Sequence, residues 1–362
     1  MWHTAHGLSF AKGPSITDLY TMSIRLADFL LLRHELPVID VRSEGEFLQG
    51  RIPQAINIPI LNNEERVRVG TDYKKKGQAV AIQTGLDLVG PRLPEIIRST
   101  HREAAGREVL VHCWRGGLRS AYFCQFVGAA QIRATPLEGG YKAYRQFVME
   151  MFERPLRLIT IGGCTGSGKT ELLRNLSDAG EQVLDLEALA HHKGSVFGGL
   201  LQQPQPTTEQ FQNNLFEALY VLDLSRPVWV EDESIAIGRI FLPDALWQQM
   251  SSSPIVELVL EKQQRISRLV AEYGPANRDE FIGAIQKITK RLGGLAQQQA
   301  IEQVRAGNMD AAIEILLSYY DRAYEFGLEK KMAAGRLRHQ ITWDGEHAAS
   351  AVAELRNLSA QF

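Results

Sequence analysis

The feature that most narrows the folds open to this chain is an apolar run, Leu156-Arg-Leu-Ile-Thr-Ile161, that leads into Gly163-Cys-Thr-Gly-Ser-Gly168-Lys169-Thr170. The run reads as a buried strand, and a helical pattern begins at Glu171. A glycine-rich loop between strand and helix is the phosphate-binding junction of a parallel α/β sheet. Gly163, Gly166 and Gly168 let the backbone wrap a phosphate, Lys169 neutralises it, and the Thr170 hydroxyl suits a magnesium ion. A second strand, Arg226-Pro-Val-Trp-Val, ends in Glu231-Asp232-Glu233 and supplies the acidic partner expected of such a loop, with Glu231 or Asp232 as the carboxylate. Magnesium at Thr170 and Asp232 is therefore the metal expectation. The adjacent His191 and His192 lack the spacing of a metal pair. Whether the phosphate belongs to ATP is left open by the pattern.

A second strand-to-helix junction lies upstream. Val109-Leu-Val-His112 ends at Cys113, followed by Trp-Arg115-Gly116-Gly117-Leu-Arg119-Ser120 and a helical run. Loop N–H groups, the positive end of the helix and the guanidinium groups of Arg115 and Arg119 favour a nucleophilic sulfur and hold an oxyanion beside it. Cys113, Arg115 and Arg119 are thus the expected catalytic set, with Gly116 and Gly117 forming the anion loop. Cys124 and Cys164 read as a core residue and a loop filler.

The 362 residues exceed one typical domain, and Glu150-Met-Phe-Glu-Arg154-Pro155 is the natural junction, since proline stops a preceding helix. Short apolar runs alternate with helical segments on both sides of it. This gives an N-terminal extension over 1–22, a parallel-sheet α/β domain over 23–152, and a P-loop α/β domain over 155–362 with a helical part at 261–331.

A formal net charge of −2 excludes a globally basic nucleic-acid binder, so any RNA surface must be a local patch. Candidates are Lys74, Lys75 and Lys76, in an insertion between Asn62 and Pro91, and Arg265, Arg268, Lys290 and Arg291 in the helical part. Solvated helix faces would look the same. Three scattered cysteines point to a reducing compartment, and no run is apolar enough to span a bilayer, so a cytoplasmic location without membrane contact is expected.

Asp40-Val-Arg-Ser-Glu-Gly-Glu-Phe47, Ile52-Pro-Gln-Ala-Ile-Asn-Ile-Pro59, the Cys113 loop and Glu138-Gly-Gly-Tyr-Lys-Ala-Tyr144 together resemble a rhodanese domain. Common rhodanese loops place the arginine one residue nearer the cysteine. His112-Cys113-x5-Arg119 has instead the longer spacing of cysteine phosphatases, which suits a phosphate-sized anion. Adding the P-loop, Gly194-Ser-x-Phe-Gly198, Trp229-Val-Glu-Asp-Glu-Ser234, Lys290-Arg-Leu-Gly293 and Tyr319-Tyr-Asp-x-x-Tyr324, the chain from Leu36 onward is similar to the tRNA 2-selenouridine synthases.

That resemblance implies replacement of sulfur by selenium in wobble 2-thiouridine of tRNA, with selenophosphate as donor. It also implies S-geranyl-2-thiouridine, made from geranyl diphosphate, as the intermediate. Selenophosphate and geranyl diphosphate are then co-substrates, tRNA is the macromolecular substrate, and the selenophosphate-producing enzyme is a further partner. Two other readings remain open: a cysteine phosphatase of rhodanese fold, and a nucleotide-gated sulfur-relay or RNA-binding adaptor.

Overall fold

The computed structural model describes residues 23–361; the expected extension over 1–22 lies outside them. The chain divides into two compact units between Phe147 and Val148, within the helix Gly140–Phe152.

The first unit is built on four parallel strands, β1 (Val38–Asp40), β2 (Ile56–Asn57), β3 (Val109–His112) and β4 (Ala134–Pro136), in the order β2-β1-β3-β4. Every residue of β1 and β3 is buried, as central parallel strands covered on both faces must be. Their register pairs Asp40 with His112, so both strands end level with Cys113. Ile39, Val111, Phe123, Cys124 and Val127 share one core. After β1, helix Glu44–Gln49 starts at Ser43, whose N–H donates to Glu46 Oε2 at 3.1 Å.

The insertion is a pair of helices, Asn63–Lys76 and Gln78–Val89. Asn62 caps the first by accepting from the Glu65 N–H at 2.9 Å, and Glu65 Oε2 accepts from the Asn62 N–H at 2.8 Å. Helix Leu118–Ala129 follows β3 and the cysteine loop.

The second unit contains β5 (Leu158–Gly163), β6 (Gln182–Leu184), β7 (Val228–Glu231), a small antiparallel hairpin of β8 (Ala236–Ile237) and β9 (Ile240–Phe241), β10 (Ile255–Val259) and β11 (Arg338–Thr342). Its main sheet is parallel, in the order β11-β10-β5-β7-β6. The phosphate loop leaves β5, the middle strand, and enters helix Lys169–Asp178. Between β10 and β11 five helices run from Lys262 to Ala333, ending in the 25-residue helix Met309–Ala333. They enclose a core of their own, with Phe281, Ile285, Val304 and Leu316 packed around Phe197. Among the described residues no helix is long and apolar enough to cross a membrane.

Candidate active site

In the first unit Cys113 lies at the C-terminal end of β3 and is 3% exposed. Its loop is seated on the turn at Leu137–Gly140. Tyr141 N–H donates to Cys113 O and Lys142 N–H to Trp114 O, both at 2.9 Å. The two segments approach so closely that a Cβ on Gly140 would stand 2.5 Å from Cys113 O and from Gly116 N; one on Gly116 would stand 2.8 Å from Leu137 O. Both glycines have positive φ, which a larger residue adopts only with strain. The Glu138-Gly-Gly-Tyr motif is therefore the floor on which the cysteine loop rests.

The Cys113 sulfur is 3.3 Å from Ser120 Oγ, and Ser120 Oγ donates to Gly117 O at 3.0 Å. Serine at this position thus has one proton and two acceptors in reach. Behind the loop, Asp40 and Arg42 form a buried pair at 2.6 Å, and the Arg42 guanidinium lies 3.8 Å from the Tyr141 ring centroid. His112 is fully buried; burial, with Arg42 beside it, lowers its pKa against the opposing pull of Asp40 and keeps the ring neutral.

The two loop arginines are not equivalent. Arg115 is exposed and makes no ion pair among the described residues. Arg119 is instead held by Glu46, with Nη1 donating to Oε2 at 2.7 Å and Nη2 to Oε1 at 3.2 Å. Arg66 of the insertion reaches the same Oε2 at 3.1 Å. Burial by itself would raise the Glu46 carboxyl, but Arg119, the Ser43 N–H and Arg66 outweigh it and hold it below the ordinary value.

In the second unit Lys169 Nζ reaches back to Gly163 O at 3.1 Å, and Thr170 Oγ1 donates to Glu187 Oε2 at 3.1 Å. The loop is pinned from outside. Trp343 Nε1 donates to Ser167 O at 2.9 Å, and the indole leaves no room for a Cβ on Gly168, which would meet its ring at 2.3 Å. Above the loop lies a cleft of about 1100 Å³ lined by Lys169, Thr170, Glu187, Lys193, Glu233 and Tyr324, among others.

Neither carboxylate expected from the acidic strand end is free to serve it. Glu231 is fully buried and accepts from the Leu186 N–H at 2.9 Å; burial and the nearby Asp185 and Glu187 raise its pKa well above the ordinary range. Asp232 is held by Lys331 and by Arg336, the latter at 2.8 Å. The groups that face Lys169 and Thr170 are Glu187 and Glu233. Burial, then Glu187, pushes Glu233 up to about 7. No group of three or more His, Cys, Asp or Glu side chains placed to hold a metal ion occurs among the described residues. Thr170 with Glu187 fits a magnesium ion only if phosphate oxygens complete its shell; Thr170 with the doubly paired Asp232 does not.

A family described as "tRNA 2-selenouridine synthase AAA domain" matches residues 156–349, and a rhodanese-like domain family matches residues 26–147. Curated proteins named tRNA 2-selenouridine synthase align along most of the chain. The one from Nitrosomonas europaea is 34% identical over 82% of this chain and 90% of its own length. Those from Marinobacter nauticus and Cronobacter sakazakii are both 37% identical, over 84% and 88% of this chain and 92% of their own lengths. The chain belongs to the tRNA 2-selenouridine synthases. It is an enzyme of that kind, with a rhodanese-like domain ahead of a P-loop domain.

The residues expected as RNA contacts separate into two sets. Lys74, Lys75, Lys76, Lys290 and Arg291 are exposed, although Lys76 is paired with Asp72 at 2.8 Å. Arg265 is not a surface residue. It is 6% exposed, binds Asp321 through two contacts of 2.8 Å and donates to Thr165 O at 3.2 Å, so it braces the phosphate loop. Arg268 pairs with Glu171 and lies 5.3 Å from the Trp343 ring centroid. Asp321 belongs to the Tyr319-Tyr-Asp-x-x-Tyr324 motif, whose Tyr320 and Tyr324 line the cleft. Spacing along the chain did not point to Glu46, Glu187 or Trp343 as site residues, and only the acidic cluster around Glu233 hinted at that residue.

Proposed function

We propose that the chain modifies tRNA by replacing the sulfur of wobble 2-thiouridine with selenium, using selenophosphate as donor and S-geranyl-2-thiouridine as intermediate. The observation that carries the reading is the presence, in a chain of this family, of two glycine-bearing strand-to-helix loops with different chemistry. One holds a thiol, Cys113, and the other a lysine, Lys169.

In the first step the uridine sulfur attacks C1 of geranyl diphosphate, the C–O bond breaks, diphosphate leaves and N3 of the uridine gives up its proton to solvent. Lys169 and the loop amides bind that diphosphate and stabilise the charge it gains. Magnesium, when bound by Thr170 and Glu187, would further neutralise the same oxygens. In the second step selenophosphate selenium adds to C2 of the uridine and the geranyl thiolate leaves, taking up a proton. Water then takes the phosphoryl group to give orthophosphate. Arg115 and Arg119 bind the selenophosphate oxyanion, and Cys113, whose sulfur lies within hydrogen-bond reach of Ser120 Oγ, assists its delivery to C2. Lys74, Lys75, Lys76, Lys290 and Arg291 meet RNA phosphates.

Nucleoside mass spectrometry tests this. Thiolated tRNA is incubated with geranyl diphosphate, selenophosphate and wild type, Cys113→Ala or Lys169→Ala. Wild type is expected to yield 2-selenouridine, Lys169→Ala to lose the geranylated nucleoside, and Cys113→Ala to accumulate it. An unchanged nucleoside with wild type overturns the reading.

A further inference from the structure

A cleft of about 550 Å³ in the first unit shares Arg119 and Lys74 with the residues described so far, but its apolar lining has no part in that chemistry. That volume is within the range of small-molecule sites, about 300–1,000 Å³. One wall is Leu118, Tyr122 and Phe126, on the helix that begins at the cysteine loop; the other is the helix pair of the insertion, through Val69, Ala81 and Ile82. The lining is apolar, apart from Arg66, Lys74 and Arg119 and a few smaller polar groups.

Two glycines of the lining have open space beside them. A Cβ on Gly70 would meet nothing within 4 Å, and one on Gly85 only Val69 Cγ2, at 4.0 Å. Both glycines sit inside helices, where glycine weakens the helix, and a larger side chain at either has room to enter. The same helix pair exposes large apolar side chains, with Val67 at 62%, Tyr73 at 57% and Leu86 at 41%, and all three line the cleft. Apolar surface gathered around a concavity in this way marks a binding site.

We infer that this cleft holds the geranyl chain of the S-geranyl uridine while selenium is delivered at the cysteine loop. The inference rests on the function proposed above and adds a chain-binding subsite to it. Leu118 and Arg119 belong both to the helix at the cysteine loop and to the cleft wall. A uridine at the loop can therefore lay its ten-carbon substituent along Leu118, Tyr122 and Phe126. The cations Arg66 and Lys74 suit the phosphodiesters that flank the nucleotide, and Glu46 holds Arg66 in place. A branched, uncharged chain gains from such a wall because its burial is favourable without directional bonds.

The test uses the full chain and anticodon stem-loop RNAs carrying 2-thiouridine, its S-methyl form or its S-geranyl form. Fluorescence anisotropy reads affinity, and nucleoside mass spectrometry reads selenium incorporation. Wild type is expected to bind the S-geranyl RNA at least tenfold more tightly than the other two. Gly70→Leu and Gly85→Leu, which place a side chain in the cleft from helical positions, should bring that preference to within twofold, leave 2-thiouridine RNA binding unchanged and not lower thermal stability. A preference retained in both variants, or absent in wild type, overturns the inference. So does a lower oligomeric state in either variant than in wild type, which would make the cleft a contact between copies. If wild type makes 2-selenouridine while the variants keep the preference, the subsite alone fails. If wild type makes none, yet shows a preference that the variants lose, the subsite stands and the proposed reaction fails.

Discussion

Arg119 and Glu46 face each other through two hydrogen bonds, of 2.7 and 3.2 Å, across 73 residues of sequence. A carboxylate thus fixes the orientation of the one loop arginine that is not free in solvent. Glu46→Gln keeps the shape but removes the charge. The expected result is a KM for selenophosphate raised roughly tenfold with a smaller change in kcat, because a freed guanidinium binds the anion less well oriented. Equal losses in kcat alone would refute it.

The same pair sets a dependence on acidity. The folded-state pKa of Glu46 lies below its ordinary value of 4.5. Its contribution to stability is therefore fully present above pH 4.5 and is lost as pH falls through the depressed value. Denaturant titrations of wild type and Glu46→Gln should differ most above pH 4.5 and converge below it.

Glu233 behaves in the opposite sense. With a folded-state value of about 7 against an ordinary 4.5, it binds more protons folded than unfolded, so it lowers stability as pH rises from 4.5 to 7. Glu233→Gln should flatten that decline, by up to about 3 kcal/mol at neutral pH. Chemical denaturation at pH 5 and pH 8 checks it; parallel slopes would contradict the assignment.

Alkylation distinguishes the cysteines. Burial pushes the Cys124 thiol up to about 12 and the Cys164 thiol, also beside Asp321, up to about 11. At pH 8 a thiol of pKa 11 is thiolate to only about one part in a thousand. Mass mapping after brief iodoacetamide treatment should find both unmodified in the folded chain and modified once it is denatured.

Two cations separate structure from RNA contact. Arg265→Ala leaves Asp321 without its partner and is expected to cost about 3 kcal/mol of stability. Lys290→Ala, at an exposed position, should leave the melting temperature unchanged while weakening tRNA binding and reducing its salt dependence by about one unit of slope.

The sequence revealed both strand–loop–helix junctions because each combines an apolar run, glycines and a helix start within a dozen residues. It also placed the helical part between β10 and β11, where period-3.6 patterning is sustained. What it hid were partners brought in from other segments. Glu46 sits in a capping box and reads as a local helix signal, yet its carboxylate also serves Arg119. Glu187 follows a short strand with nothing nearby to mark it, and only the fold places it against Thr170. The acidic strand end was visible, but Lys331 and Arg336, about a hundred residues on, occupy Asp232 and leave the facing position to Glu233. Arg265 shows the limit of counting basic residues at helical spacing, since the spacing does not say which face is turned inward. Lys74, Lys75 and Lys76 mark the insertion as a charged surface, whereas its Val67, Val69, Tyr73 and Leu86 line an apolar cleft.

The contact between Gly116 and Gly140 joins two stretches of sequence into one inheritable part. A methyl group added at Gly140 collides with the backbone of the cysteine loop, and one added at Gly116 collides with the backbone of the turn beneath it. Neither collision can be relieved by trimming a side chain, because the opposing atoms are main-chain atoms. A protein engineer who moves the cysteine loop to another scaffold must therefore move the turn with it, and a lineage can alter one only by altering both.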